Sequence, residues 1–188
     1  MKKQTLIRKL KKAGVCSDGM SWLKKQKETD IKKIAFKAIK ENHFGWVNWA
    51  LPRIMNYKQR VSYAVYAAKQ VLPNFEDENP HDKNPREAIE AAIRCIKNPS
   101  KKNKDAARSS ARSAARSACS VASTYSATDS AYSAVHSADS AHSAYSANSA
   151  YSAADSAAHS VVAFEKMEIK IIKYGLKLLK GERENEVF

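Results

Sequence analysis

Arg108, Arg112 and Arg116 stand four residues apart in the most unusual part of this chain. On a helix that spacing lines up three guanidinium groups along one ridge, spread over ~80°. Arg forks bind phosphate or carboxylate through paired hydrogen bonds, so the ridge is either an anion site or a solvated face. Arg53, Arg60, Arg86 and Arg94 add cations in stretches that also carry Tyr and Trp. Tyr125, Tyr132, Tyr145 and Tyr151 could stack on a base or fill the gaps between small residues. Trp22, Trp46 and Trp49 read as core residues, and Trp49 is also a candidate ligand contact. The candidate ligand-binding set is therefore Arg108, Arg112, Arg116, Arg53, Arg60, Tyr132, Tyr145 and Trp49.

Other constellations carry little chemistry. His81-Asp82 lies in a Pro-rich stretch without a helical partner His, which speaks against a metal phosphohydrolase. His136 and His142 are six apart, ~120° on a helix, whereas a zinc pair needs i, i+4. Asp155 and His159 do have that spacing and read as a surface charge pair. Cys16, Cys95 and Cys119 form no C-x-x-C, and their odd number argues against a disulfide framework. There is no Gly-rich phosphate loop, no G-x-S-x-G and no paired catalytic carboxylates. The expectation is a protein without catalytic residues, metal or cofactor.

The elements that must position these side chains are helical. Lys plus Arg number 33 against 19 Asp plus Glu, a net charge of +14, in 188 residues with only 5 Gly and 5 Pro. Residues 1–105 hold 24 basic and 11 acidic groups, so the excess lies in the first half. Such a field draws in nucleotides, nucleic acid or an acidic protein, or simply keeps lysine-rich helices solvated. Leu6, Ile7 and Leu10 form a stripe that Gly14 ends; Ser17 and Asp30 are N-cap candidates for the next two helices. Pro52 suits the first turn of a long helix with Val61, Ala64, Val65, Ala68 and Val71 at a 3.6 period. Pro73 would lie past its end, residues 73–85 would form an exposed loop, and Asn84-Pro85 would open the next helix.

Residues 106–163 hold 20 Ala and 17 Ser with no Gly or Pro, and Ser-Ala-X repeats strictly from Ser137 to Ser152. Ala is the best helix former, so the tract is expected to be helical. A three-residue step slips back ~60° per unit, which winds small residues round the helix and lets neighbours approach on several sides. Fifty-eight residues would make a rod ~87 Å long, against a radius of gyration of ~16 Å for a compact chain. Two or three packed helices are expected, with breaks near Ser123–Ser126 and Asn148. Phe164, Met167, Ile171, Tyr174 and Leu178 form the seam of a last helix, 164–181, with a tail from 182 to 188. The fold class is all-α, a compact helical bundle in one domain over 1–188, without a strand pattern, a membrane span or a secretory leader. That places the protein in the cytoplasm, and its small-residue faces suggest a homo-oligomer.

The chain resembles the Ala/Tyr-rich "putative immunity protein" family of bacteria and phages. The resemblance rests on Cys16-Ser-Asp-Gly-Met-Ser-Trp22-Leu, Trp46-Val-Asn-Trp49-Ala-Leu and Ala64-Val-Tyr-Ala-Ala-Lys-Gln-Val-Leu-Pro73. It continues through Asn84-Pro-Arg86-Glu-Ala-Ile-Glu-Ala-Ala, the small-residue repeat and the basic last helix, with Ser at many positions where the family has Ala. It implies a small non-enzymatic helical protein that neutralises something. Two functions follow: sequestration of an anionic ligand, such as a nucleotide immune signal in phage counter-defence, or a block on a toxin, nuclease or defence effector through contact with an acidic bacterial protein. General nucleic-acid affinity is a further partner class, and a structural helical rod a third function.

Overall fold

The computed structural model describes residues 2–120, 125–142 and 146–181. They form ten helices and no strand, which bears out the all-α reading. In chain order these are α1 (Lys3–Lys12), α2 (Ser17–Lys25), α3 (Ile31–Lys40), α4 (Phe44–Ile54) and α5 (Tyr57–Glu78). Then follow α6 (Asn84–Lys97), α7 (Lys101–Ser120), α8 (Tyr125–His142), α9 (Ser146–His159) and α10 (Phe164–Leu179).

Local chemistry explains the boundaries. Gly14 at φ 79° and Asn42 at φ 60° each end a helix by the same device. The Gly14 and Val15 amides donate to the Lys11 and Leu10 carbonyls, and those of Asn42 and His43 to Ile39 and Ala38, so orphan carbonyls of the last turn are satisfied. Asp30 caps α3 as its sequence suggests, its Oδ1 accepting from the Lys33 amide at 3.0 Å. The N-cap of α2 is Cys16 rather than Ser17, a shift of one residue.

Both prolines of the middle region fall elsewhere than their sequence suggests. Pro52 lies in the last turn of α4, not the first turn of α5. The start of α5 is fixed by a capping box: Gln59 N–H donates to Asn56 Oδ1, and Asn56 N–H to Gln59 Oε1, both at 2.9 Å. Pro73 lies inside α5, which runs on to Glu78. The helix survives the lost backbone donor because Phe75, just beyond it, is completely buried against Ala131 and Tyr132 of α8. The exposed loop is thus shortened to residues 79–83. Asn84 is the first residue of α6 and its amide donates to Asp82 Oδ1 at 2.9 Å, so Asp82 does the capping expected of Asn84.

Helix α5 is the hub. Residues 61–68 are buried on every side, and α4, α6, α8, α9 and α10 all touch it. The Ser/Ala tract forms α7, α8 and α9, each packed on the next. Helix α7 begins at Lys101, five residues before the tract, and Asn148, where a break was expected, lies inside α9. Ser123 and Thr124, in the other expected break, lie outside the described residues. Ala131, Ala134, Ala138 and Ala141 of α8 are fully buried, and so are Ser130, Ser133, Ser137 and Ser140. Small residues cover several faces, as the slipping stripe predicts, and these faces are occupied within the chain. The buried hydroxyls remain paired. Ser137 donates to Ala134 O and Ser140 to Ser137 O at 2.8 Å, and Ser133 crosses to Ala153 O of α9 at 2.7 Å.

Helix α10 buries Ile171, Tyr174 and Leu178 and exposes Lys166, Lys170, Lys173, Lys177 and Lys180, the seam and the basic face expected. The tail from Glu182 lies outside the described residues. No helix among the described residues is long and apolar enough to cross a membrane.

Candidate functional site

The tract holds its arginines where the ridge geometry places them. Arg108, Arg112 and Arg116 are all exposed on α7. Their backbone is anchored by Ala107, Ala111 and Ala114, which are buried. Arg108 and Arg112 line a groove of about 410 Å³ between α7 and α8, facing Val135, Asp139 and His142. Arg108 and His142 also border a second hollow of about 340 Å³ toward the start of α7, with Lys101, Lys104 and Asp105. The two hollows meet at Arg108 and His142, which line both. Arg116 lies beyond it and donates to Ser113 Oγ at 3.1 Å. Neither Arg108 nor Arg112 makes an ion pair among the described residues.

Histidines flank the groove. Asp139 Oδ1 lies 3.7 Å from His142 Nδ1, and Asp139 Oδ2 lies 4.0 Å from His136 Nδ1, so one carboxylate stands between two imidazoles. The six-residue separation that excludes a zinc pair is what puts Asp139 three residues from each ring. Burial holds the His136 imidazole below its usual value, against the attraction of Asp139 and Asp155. Lys104 lies 5.3 Å from the centre of the Tyr57 ring, whose hydroxyl donates to Ala141 O at 2.6 Å. Burial pushes the Tyr57 phenol up to about 12. No cluster of three His, Cys, Asp or Glu able to hold a metal exists among the described residues.

The other candidates gather elsewhere or stand alone. Arg53 stacks on Trp49 at 3.8 Å from the ring centre, and its Nη2 donates to Asn148 Oδ1 of α9 at 2.6 Å. That junction of α4 with α9 also holds Tyr151, whose phenol burial pushes up, with Asp155 and Glu168 adding to the shift and Arg53 opposing it. Arg60 is half-buried and donates from Nη1 to the Met55 carbonyl at 3.2 Å, so it braces the start of α5. Tyr132 packs against the core with its ring near His136 and fills space as a structural residue does. Tyr145 lies outside the described residues.

The tryptophans are not core. Trp22, Trp46 and Trp49 are half-buried, and all three line a cleft of about 420 Å³ among α1, α2, α3 and α4. His43 stacks on Trp46 at 3.9 Å and Trp22 meets Trp46 edge-on at 6.1 Å. Short helices bearing large rings cannot close on one another, which is why these side chains stop at a rim. Sequence reading missed this cleft; the signal was the three Trp within residues 22–49, flanked by Gly19 and Ala50 and with Gly45 between them.

No curated protein and no solved structure is similar to the chain. A family model does match, over residues 53–187, which takes in the helices of the groove and leaves out the first two motifs on which the resemblance was based. By that match the chain belongs to the family described as Imm-5 like putative immunity protein.

Proposed function

We propose that this protein neutralises its target by stoichiometric binding, without catalysis, and that the α7–α8 groove takes a phosphate-bearing ligand of the nucleotide-signal class. The observation that carries the reading is the pair Arg108 and Arg112, exposed one turn apart, free of ion pairs among the described residues and lining one groove with His142. Guanidinium forks hold phosphate oxygens bidentately. Lys101 and Lys104 extend the positive lining. Across the two hollows these four cations outnumber Asp105 and Asp139.

A second reading is favoured by one feature: among the described residues no Tyr, Trp or Phe lines the groove. The groove offers phosphate contacts but no ring for a base other than His142. An acidic loop of a toxin, nuclease or defence effector would meet the same four cations, and charge complementarity would speed that encounter.

Thermal melts with pyrophosphate, cyclic dinucleotides and ADP-ribose separate the two. A ligand at a hundred times its Kd stabilises by ~2.7 kcal/mol. Loss of that shift in Arg108→Glu/Arg112→Glu supports the first reading. If no anion shifts the melt, while an acidic protein co-purifies with the wild type and not with the charge-reversed variant, the second stands.

A further inference from the structure

We infer that the cleft among α1–α4 is a binding site for a neutral, ring-bearing apolar small molecule with a single hydrogen-bonding group. This is independent of the α7–α8 groove. The cleft measures about 420 Å³, within the range of ~300–1,000 Å³ that small-molecule pockets occupy.

The lining states the ligand chemistry. Among the described residues no Asp, Glu, Lys, Arg or His borders the cleft, so a charged occupant would lose its hydration without a partner. Leu6, Leu10, Ile31, Ile34 and Leu51 provide aliphatic walls, and Trp22, Trp46 and Trp49 provide three indoles. Ring pairs in offset or edge-on contact gain beyond the area they bury, which favours a planar ligand over an acyl chain. The Trp22 indole N–H is already committed, to Glu41 Oε2 at 2.5 Å. Among the described residues the one hydroxyl in the lining is that of Tyr151, from α9. Burial keeps that phenol protonated. It can therefore donate to, or accept from, one polar group of a ligand whose rings lie among the indoles. Arg53, stacked on Trp49 and tied to Asn148, keeps α4 and α9 together beside it.

The position of the cleft adds a second argument. All of its lining residues except Ile54 and Tyr151 precede residue 53, where the family match begins. Helices α1 and α3 join the rest of the molecule by packing on α4, and α2 packs on α1. The site is thus assembled where a segment outside the family match meets a side chain of the Ser/Ala tract.

N-phenyl-1-naphthylamine, neutral and fluorescent in apolar surroundings, is the probe, with biphenyl-4-ol and biphenyl as competitors. Expected is one saturable site per chain, with biphenyl-4-ol displacing the probe better than biphenyl. Tyr151→Phe removes that preference, about threefold to tenfold in competition, the worth of one hydrogen bond. Ala50→Phe fills the cleft and weakens the probe by about tenfold or more. Gly45→Phe does the same and keeps the test standing should Ala50→Phe not fold, since a Cβ at Gly45 meets nothing within 4 Å. Arg108→Glu/Arg112→Glu leaves probe binding intact. The inference is overturned if the probe does not saturate, if both filling variants bind it like wild type, or if dodecanoate displaces it better than biphenyl-4-ol.

Discussion

Helices α7–α9 and helices α1–α4 solve the same packing problem with opposite materials. In the first group Ala and Ser occupy the interfaces, and four Ala and four Ser of α8 are at zero exposure. In the second, Leu, Ile and Trp occupy them, and a cleft of about 420 Å³ is left. Small side chains let backbones approach closely, whereas bulky ones on ten-residue helices must interlock or stand apart. Both regions keep a hollow, about 410 Å³ between α7 and α8 and about 420 Å³ among α1–α4, but Arg, Asp and His line the first beside a small-residue interface and apolar side chains line the second.

The strongest way to break this contrast is to add the same atoms to both regions. Ala138→Leu, in the middle of α8, is expected to cost about 3 kcal/mol, because no neighbour can yield. Ala50→Leu, at the cleft, should cost less than ~1 kcal/mol. Urea melts check this, and equal losses would dissolve the distinction. A single methyl tests the hub next. In Gly175→Ala the new Cβ would lie 2.7 Å from Tyr63 Cε2 and 3.0 Å from Leu51 Cδ1, and the fully buried Tyr63 ring has little room to move. A loss of about 2 kcal/mol is expected by thermal melt.

Polar groups in the hub sharpen the comparison. Tyr63 is wholly buried and donates to Asn48 Oδ1 at 2.7 Å. Tyr63→Phe leaves that acceptor unpaired and should cost about 1–2 kcal/mol. The buried Ser hydroxyls of α8 turn back onto helix carbonyls, so Ser137→Ala should fall well below Tyr63→Phe in the same assay.

Glu168 gives a pH signature. Burial raises its carboxyl above the ordinary value of 4.5, Asp155 adds to the rise and Asn48 opposes it. In the window between 4.5 and the raised value the folded state binds more protons than the unfolded one, so stability falls as pH rises. Below 4.5 both states are protonated and the penalty is absent. Melts of Glu168→Gln against pH should therefore lose that decline and run above wild type at neutral pH. The smallest effect belongs to the surface. Arg86 and Glu76 form an exposed fork, with Arg86 Nη2 2.5 Å from Glu76 Oε2, and Glu76→Gln should cost ~0.5 kcal/mol or less, vanishing in salt.

What was legible in the residues was local. The 3.6 period over Val61–Val71, the Asp30 cap, Gly14 and the seam of α10 each act within a few residues of themselves, so a sequence can show them. The Arg108–Arg112 ridge was legible for the same reason, being a matter of helical spacing. The groove was not, because His142 and Asp139 come from another helix. Nor was the fate of Pro73, which depended on where Phe75 found its neighbours. The tryptophans misled because ring size argues for burial in general but does not say whether short helices can close around the ring.

The chain by itself determined that it is helical, that its small-residue tract must fold back, and that three arginines share one face; each follows from helix propensity and geometry. Only the tertiary structure decided which arginines meet a groove, that Arg53 and Trp49 belong to another junction, and that a segment outside the family match encloses an apolar cleft. Those outcomes depend on side chains brought together from distant positions, and no local rule carries that information.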